Sequence, residues 1–196
     1  HVMYCLHMAV GLTRGNFDLF NPFGMNTSLM ASHEWFILLH YFSKYLDFAD
    51  TGFMLLKKNF RQLTFLHVYH HASILIVWGW LLQNNQAGGT VYFGALINSW
   101  VHVLMYAHYL FTSLGFQNPL KPYLTMIQIG QMWLCLLHAL LVCYFENVIE
   151  ANNAKVQAAY HVIMIVLFTN FYMKSYGNKK NVASEKKEAV AAKAEQ

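Results

Sequence analysis

Charge is what this sequence has least of. Only 11% of its 196 residues are Asp, Glu, Lys or Arg, where ordinary globular domains carry roughly a quarter. Apolar residues make up 57% and aromatic ones 16%. That leaves too little polar surface to wet a soluble domain of this size, so composition excludes a soluble globular class and indicates a membrane protein. The mean hydropathy of +0.31 understates the point, because the polar tail from Lys174 to Gln196 dilutes it. Cysteine is scarce as well. Cys5, Cys135 and Cys143 all lie in apolar runs and form no CxxC pair, which argues against a disulfide scaffold or a zinc cage and for buried structural thiols. No internal repeat is apparent. The net charge of +4 does not point to nucleic acid, since the basic residues cluster between apolar segments and in the tail.

A helix needs about 20 mostly apolar residues to cross a bilayer. Five segments qualify: Trp35–Leu56, Leu63–Leu82, Val91–Leu114, Tyr123–Phe145 and Val156–Met173. The chain opens on His1, not Met, and the apolar stretch to Leu12 reads as the end of an earlier span in a sequence truncated at its start. The connectors carry helix breakers, QNNQAGG at 83–89 and QNPLKP at 117–122. The expected fold is therefore all-α: a polytopic transmembrane helix bundle over residues 1–173, with five full spans and part of a sixth. A polar, disordered tail follows over 174–196. Alternating the spans puts Lys57, Lys58, Arg61, Lys121, Lys174 and the tail lysines on one face, while Arg14 and Lys155 fall on the other. The positive-inside rule makes the basic face cytosolic, and the sequon Asn26-Thr27-Ser28 then falls on the lumenal side.

Polar residues inside the spans carry the functional signal. A charge at mid-membrane costs about 2–3 kcal/mol or more on insertion scales, so it faces the bundle interior and has a partner. Lys44, Asp47, Asp50 and Thr51 share a sector of roughly 120°. Lys44 can pair with Asp47 at i,i+3, which leaves Asp50 over; a structural ion pair gluing helices is the competing explanation. On the next span, His67, His70 and His71 stand at i, i+3 and i+4 and so stack on one face. One histidine there would be ordinary core; three are hard to satisfy by packing. The third span presents Asn98, His102, Met105, Tyr106 and Tyr109 within about 100°, with His108 off the stripe. The fourth offers Thr125, Gln128 and Gln131, which interhelical hydrogen bonding explains as well as ligand binding does. Four helices turning polar stripes toward one another imply a cavity with an apolar depth and a cationic mouth, suited to a long-tailed amphiphile with an anionic head.

These residues resemble the motif set of the very-long-chain fatty acid elongase family. The pattern KxxExxDT is similar to Lys44 through Thr51, with Asp47 in place of Glu. HxxHH is His67-Val68-Tyr69-His70-His71, NxxxHxxMYxYY resembles Asn98 through Tyr109 with His108 replacing a tyrosine, and TxxQxxQ is Thr125, Gln128 and Gln131. HxxHH alone is weak; four motifs in order over residues 44–131 are specific. The resemblance implies seven transmembrane helices, residence in the endoplasmic reticulum membrane and a cytosolic C-terminus. It implies condensation of malonyl-CoA with an acyl-CoA to 3-oxoacyl-CoA, CoA and carbon dioxide, with no bound cofactor or metal. Its implied partners are the ketoacyl reductase, dehydratase and enoyl reductase of the elongation cycle. The segment Gln62 to Leu66 resembles the polyunsaturated-substrate branch.

On that resemblance the catalytic candidates are His67, His70, His71 and His102. His70 would attack the acyl thioester, since histidine can serve as a covalent nucleophile and no cysteine lies in a motif. His102 would be base or hydrogen-bond partner, with His67 and His71 orienting the pair. The substrate-binding candidates are Lys44, Asp47, Asp50, Asn98, Tyr106, Gln128 and Gln131. Lys57, Lys58, Arg61, Lys121 and Lys174 are candidates for the CoA phosphates, although topology alone also accounts for them. Two other classes remain open at this level. A membrane di-iron desaturase or hydroxylase also uses HxxHH but needs about eight histidine ligands, and only one such box is present. A proton-coupled transporter would explain intramembrane acids and histidines. Purified protein carrying stoichiometric iron would favour the first, and failure to incorporate labelled malonyl-CoA into lipid would weaken the condensing-enzyme reading.

Overall fold

The computed structural model describes residues 1–16, 20–25, 31–58, 60, 63–83, 90–116, 119–146 and 148–177. Arg61, Gln62, the sequon at 26–28 and the tail beyond Gly177 lie outside the described residues. Among the described residues six α-helices form: α1 Val2–Asn16, α2 Ala31–Leu56, α3 Phe65–Gln83, α4 Val91–Ser113, α5 Lys121–Phe145 and α6 Val148–Tyr172, the last running into a π-turn at Met173–Gly177. Among the described residues there is no strand. The expected all-α polytopic bundle is what forms.

Local chemistry sets the helix ends. Pro122 occupies the first turn of α5, where its missing N–H costs nothing. α4 stops at Gly115, whose φ of +88° is a backbone state that glycine adopts freely. There Phe116 N–H donates to Phe111 O at 3.2 Å, Gly115 N–H donates to Thr112 O at 3.2 Å, and the Phe111 and Phe116 rings meet at 5.7 Å. That combination is a Schellman stop with its hydrophobic clasp. α6 begins at Val148, eight residues ahead of the apolar window. Its early turns are polar in sequence but pack on α5, where Ala139, Val142 and Ala154 form a buried small-residue contact. Packing, not hydropathy, extends the helix.

The helices close into a ring. α1 touches α2, α2 touches α3, α3 touches α6, α6 packs along α5, α5 touches α4, and α4 lies along α1; α2 also reaches α4 across the interior. α3, α5 and the stretch Ala151–Gly177 are long and apolar enough to cross a membrane. α2 and α4, of 26 and 23 residues, span about 39 and 34 Å, more than the ~30 Å of a bilayer core. α1, with 15 residues, reaches only about 22 Å and is a partial span.

The packing is inverted relative to a soluble protein. Lys44, Asp47, His40, Ser99, His102 and His138 are buried, whereas Ile76, Trp133, Leu140 and Val166 stand on the outer surface. Lipid accepts the apolar exterior, while the polar groups have to find partners inside. His40 Nδ1 meets Ser99 Oγ at 3.1 Å and His138 Nε2 meets the Phe23 carbonyl at 3.2 Å. Those two histidines are structural.

The short connectors place the end of α2, the start of α3, the end of α4, the start of α5 and the end of α6 at one end of the bundle. Lys57, Lys58, Lys121 and Lys174 are exposed there. Lys58 ends α2 with a φ of +52°.

Gly11 lets α1 lie against α2: the Phe36 ring occupies the space that a Cβ at Gly11 would fill. Gly11→Val is expected to destabilise the bundle by about 1–3 kcal/mol through overpacking. A lowered melting temperature in detergent, partly restored by adding Phe36→Ala, is the expected result; an unchanged melting temperature refutes this account of the α1–α2 contact.

Candidate active site

The centre is built on Asp47, which is 1% exposed. Lys44 Nζ lies 3.6 Å from Asp47 Oδ2, one helical turn away on α2, so the i,i+3 pair read from spacing forms. From α4, Tyr106 donates its hydroxyl to Asp47 Oδ1 at 2.8 Å and approaches Asp50 Oδ2 at 2.7 Å. His102 Nδ1 stands 3.8 Å from Asp47 Oδ2, outside hydrogen-bond range. His1 on the far side contacts Asp47 Oδ1 at 3.1 Å and stacks on the Tyr106 ring with centroids 4.0 Å apart. The carboxylate thus ties α1, α2 and α4 together. An ionised carboxylate in a membrane interior requires such a shell.

Lys44 does a second job. Its ammonium donates to Asn98 Oδ1 at 2.7 Å. An ammonium has no acceptor, so this contact fixes which way the amide faces: the oxygen is held by Lys44 and the two N–H donors are left for the cleft that Asn98 lines.

The three imidazoles of α3 diverge in their partners. His67 Nε2 pairs with Thr51 Oγ1 at 2.9 Å, and His70 Nδ1 with the Tyr160 hydroxyl of α6 at 3.2 Å. His71 Nδ1 is buried and has no hydrogen-bond partner among the described residues. The rings of His67 and His71 lie 4.4 Å apart, and those of His70 and His71 5.3 Å apart. Among the described residues no group of three or more His, Cys, Asp or Glu side chains is arranged to hold a metal ion. The box opens toward separate neighbours rather than a shared point.

His70 also lines a narrow apolar cleft of about 50 Å³, which runs between α3, α4, α5 and α6 past Trp78, Leu81, Val91 and Gly94. His70 to Leu81 is eleven residues of α3, about 16 Å along its axis. Asn98, Gln131 and Tyr160 contribute polar groups to the wall, as do Cys135, Gln157 and His161. With Nδ1 occupied by Tyr160, Nε2 is the nitrogen of His70 without a partner among the described residues. His102 is near enough to His70 and His71 to interact electrostatically, but His70 takes its hydrogen bond from α6, not from His102.

The polar residues read from the spans and their ends therefore fall into four sets. Lys44, Asp47, Asp50, Asn98, His102 and Tyr106 form one connected network. His67, His70, His71 and Gln131 sit beside it, with His70 and Gln131 on the cleft. Gln128 points at Met105, its Nε2 donating to the thioether 3.5 Å away. Lys57, Lys58, Lys121 and Lys174 are set apart at the exposed end. Tyr160 was not anticipated: one tyrosine in an apolar, aromatic-rich helix has no local signature, although Gln157, Tyr160 and His161 at i, i+3, i+4 form a short polar stripe that hinted at it.

An inverted helical bundle with a buried imidazole and carboxylate centre defines an integral membrane protein with an internal polar site. The chain belongs to the ELO (GNS1/SUR4) family, whose model matches residues 2–184. It is 45% identical over 169 residues to fatty acid elongase 5 of Leishmania major, covering 86% of this chain and 68% of that protein. It is 47% identical over 164 residues to fatty acid elongase 5 of Trypanosoma cruzi, covering 84% and 64%. To very long chain fatty acid elongase 5 of Bos taurus the identity is 37% over 186 residues, covering 92% and 61%. The chain spans about two thirds of the length of these curated relatives. No solved structure matches it.

The buried pair yields a stability test. Lys44→Met leaves Asp47 without its ammonium and frees the Asn98 amide, and is expected to cost about 3–5 kcal/mol. Adding Asp47→Leu should recover a large part of that loss, since the two sites are coupled. Melting curves of the two singles and the double in detergent measure it; additive losses refute the pairing.

Proposed function

We propose that this chain carries the condensing centre of a fatty acid elongase, joining malonyl-CoA to a long-chain acyl-CoA to give 3-oxoacyl-CoA, CoA and carbon dioxide. The observation that carries the reading is His70. Its Nδ1 is held by Tyr160, and its ring lines a narrow apolar cleft between α3, α4, α5 and α6, the direction in which an acyl tail would run. Family membership supports the same reaction class.

In this mechanism His70 donates Nδ1–H to the Tyr160 oxygen, which leaves the Nε2 lone pair for the acyl thioester carbonyl. The Nε2–C bond forms, and the carbonyl oxygen takes up negative charge. The N–H donors of Asn98, oriented by Lys44, steady that oxygen. The C–S bond then breaks, CoA leaves as thiolate, and the acylated imidazolium gives up its Nδ1 proton, balancing the thiolate. Malonyl-CoA next loses carbon dioxide. The resulting enolate carbon attacks the acyl-imidazole carbonyl, the N–C bond breaks, 3-oxoacyl-CoA departs, and the imidazolate of His70 takes one proton from water, the proton that the overall reaction consumes, to restore the neutral ring. His102 and His71, whose Nδ1 atoms are unpartnered among the described residues, stand beside this chemistry to hold the enolate or move a proton.

The exposed Lys57, Lys58, Lys121 and Lys174 would meet the CoA phosphates at the mouth, with Arg61 beside them in sequence. The same basic end faces the cytosol of the endoplasmic reticulum membrane by the positive-inside rule, which puts the C-terminal tail there. The 3-oxo product then passes to the ketoacyl reductase, dehydratase and enoyl reductase of the cycle.

Two substitutions test the reading on microsomes containing the full protein. His70→Ala should abolish both incorporation of labelled malonyl-CoA and release of CoA from acyl-CoA alone; CoA release at the normal rate eliminates the acyl-imidazole. Cys135→Phe places a ring in the cleft wall and should shift products toward shorter chains at retained total turnover. A product profile unchanged by Cys135→Phe means that the acyl tail lies elsewhere.

A further inference from the structure

Tyr106 has more acceptors than it has hydrogens. Its hydroxyl oxygen lies 2.8 Å from Asp47 Oδ1 and 2.7 Å from Asp50 Oδ2. A phenol carries one hydrogen and an ionised carboxylate carries none. Two short contacts among three oxygens need two hydrogens. With only one, a pair of bare lone pairs would face each other at hydrogen-bond distance inside the bundle, where an unmade bond costs about 1–3 kcal/mol.

We infer that the second hydrogen resides on Asp50: its carboxylic acid donates to the Tyr106 oxygen, and Tyr106 in turn donates to Asp47. The neighbours fix this direction. Asp47 has Lys44 Nζ at 3.6 Å, His102 Nδ1 at 3.8 Å and His1 Nε2 at 3.1 Å. Asp50 has no ion pair among the described residues; His67, on the other side, spends its Nε2 on Thr51. Negative charge is compensated at Asp47 and uncompensated at Asp50, so the proton goes to Asp50.

The consequence revises two roles. On this inference Asp50 and Tyr106 act as positioning residues. Asp50 orients the phenol, the phenol holds one oxygen of Asp47, and the other oxygen faces Lys44 and His102. The hydrogen bonds run from Asp50 through Tyr106 to Asp47, whose other oxygen stands 3.8 Å from His102 Nδ1 beside Lys44, and one proton can shift along them between the two carboxyls without a change in net charge.

The assignment of a catalytic consequence rests on the condensing-enzyme reading, but the proton itself does not. The first test is infrared difference spectroscopy on resting full-length protein without acyl-CoA. Wild type should show the carbonyl stretch of a protonated carboxylic acid, sensitive to deuterium exchange. Asp50→Asn should remove it, and Tyr106→Phe should shift it by taking away the acceptor. A spectrum without that band, or with a band that neither substitution alters, overturns the proposal. The second test is rescue. Asp50→Asn keeps an N–H donor where the acid has O–H, so it should condense about tenfold faster than Asp50→Ala, the loss being in kcat with KM for malonyl-CoA little moved. Equal rates for the two variants, or a loss confined to KM, overturn the positioning role. Protein that shows the band yet incorporates no malonyl label refutes the elongase reading and leaves the proton assignment standing.

Discussion

An ionised side chain cannot remain unpartnered in hydrocarbon, and this bundle is arranged around meeting that demand at Asp47. The carboxylate collects groups from α1, α2 and α4 within 4 Å. Any arrangement that left one of those helices out would strand a charge at several kcal/mol. The same demand explains the inverted packing. Lipid exerts no pressure to bury leucine or tryptophan, so specificity in the ring of helices comes from the polar groups that must meet inside it.

That constraint also prepares a site. Because Lys44 must satisfy both Asp47 and Asn98, the Asn98 amide is held with its oxygen toward Lys44 at the edge of the cleft. Because Tyr160 engages His70 Nδ1, the second nitrogen of that ring is left over. Groups held by structural necessity pay no reorganisation when a substrate arrives. On the proposed function, stability and reactivity draw on one network, and the substitutions that weaken one are expected to weaken the other.

The histidines show how alike residues divide by surroundings. His40 and His138 find partners in Ser99 and the Phe23 carbonyl, and His161 in the Gln157 carbonyl at 2.7 Å; they serve packing. His71 and His102 keep a buried Nδ1 without a hydrogen bond among the described residues, as His40 does at Nε2 and His138 at Nδ1, and His70 and His161 both line the cleft. Composition does not tell these histidines apart. Their neighbours in the packed bundle do.

The helices and the inward stripes were legible from the chain because both follow from local rules: span length from the bilayer, and angular position from 3.6 residues per turn. Hence Lys44, Asp47, His67, His70, Asn98, His102 and Gln131 could be placed on facing surfaces before any coordinates. The early start of α6 was hidden because the small-residue contact with α5 extends a helix through residues that hydropathy discounts. Tyr160 was hidden because a hydroxyl's partner lies ninety residues away in sequence and leaves no periodic trace. The hydrogen inferred between Asp50, Tyr106 and Asp47 depends on two contacts of 2.7 and 2.8 Å between two helices. Sequence fixes which groups face inward, since that is an angle along one helix; only the packed bundle decides which of them touch, since that is a distance between several.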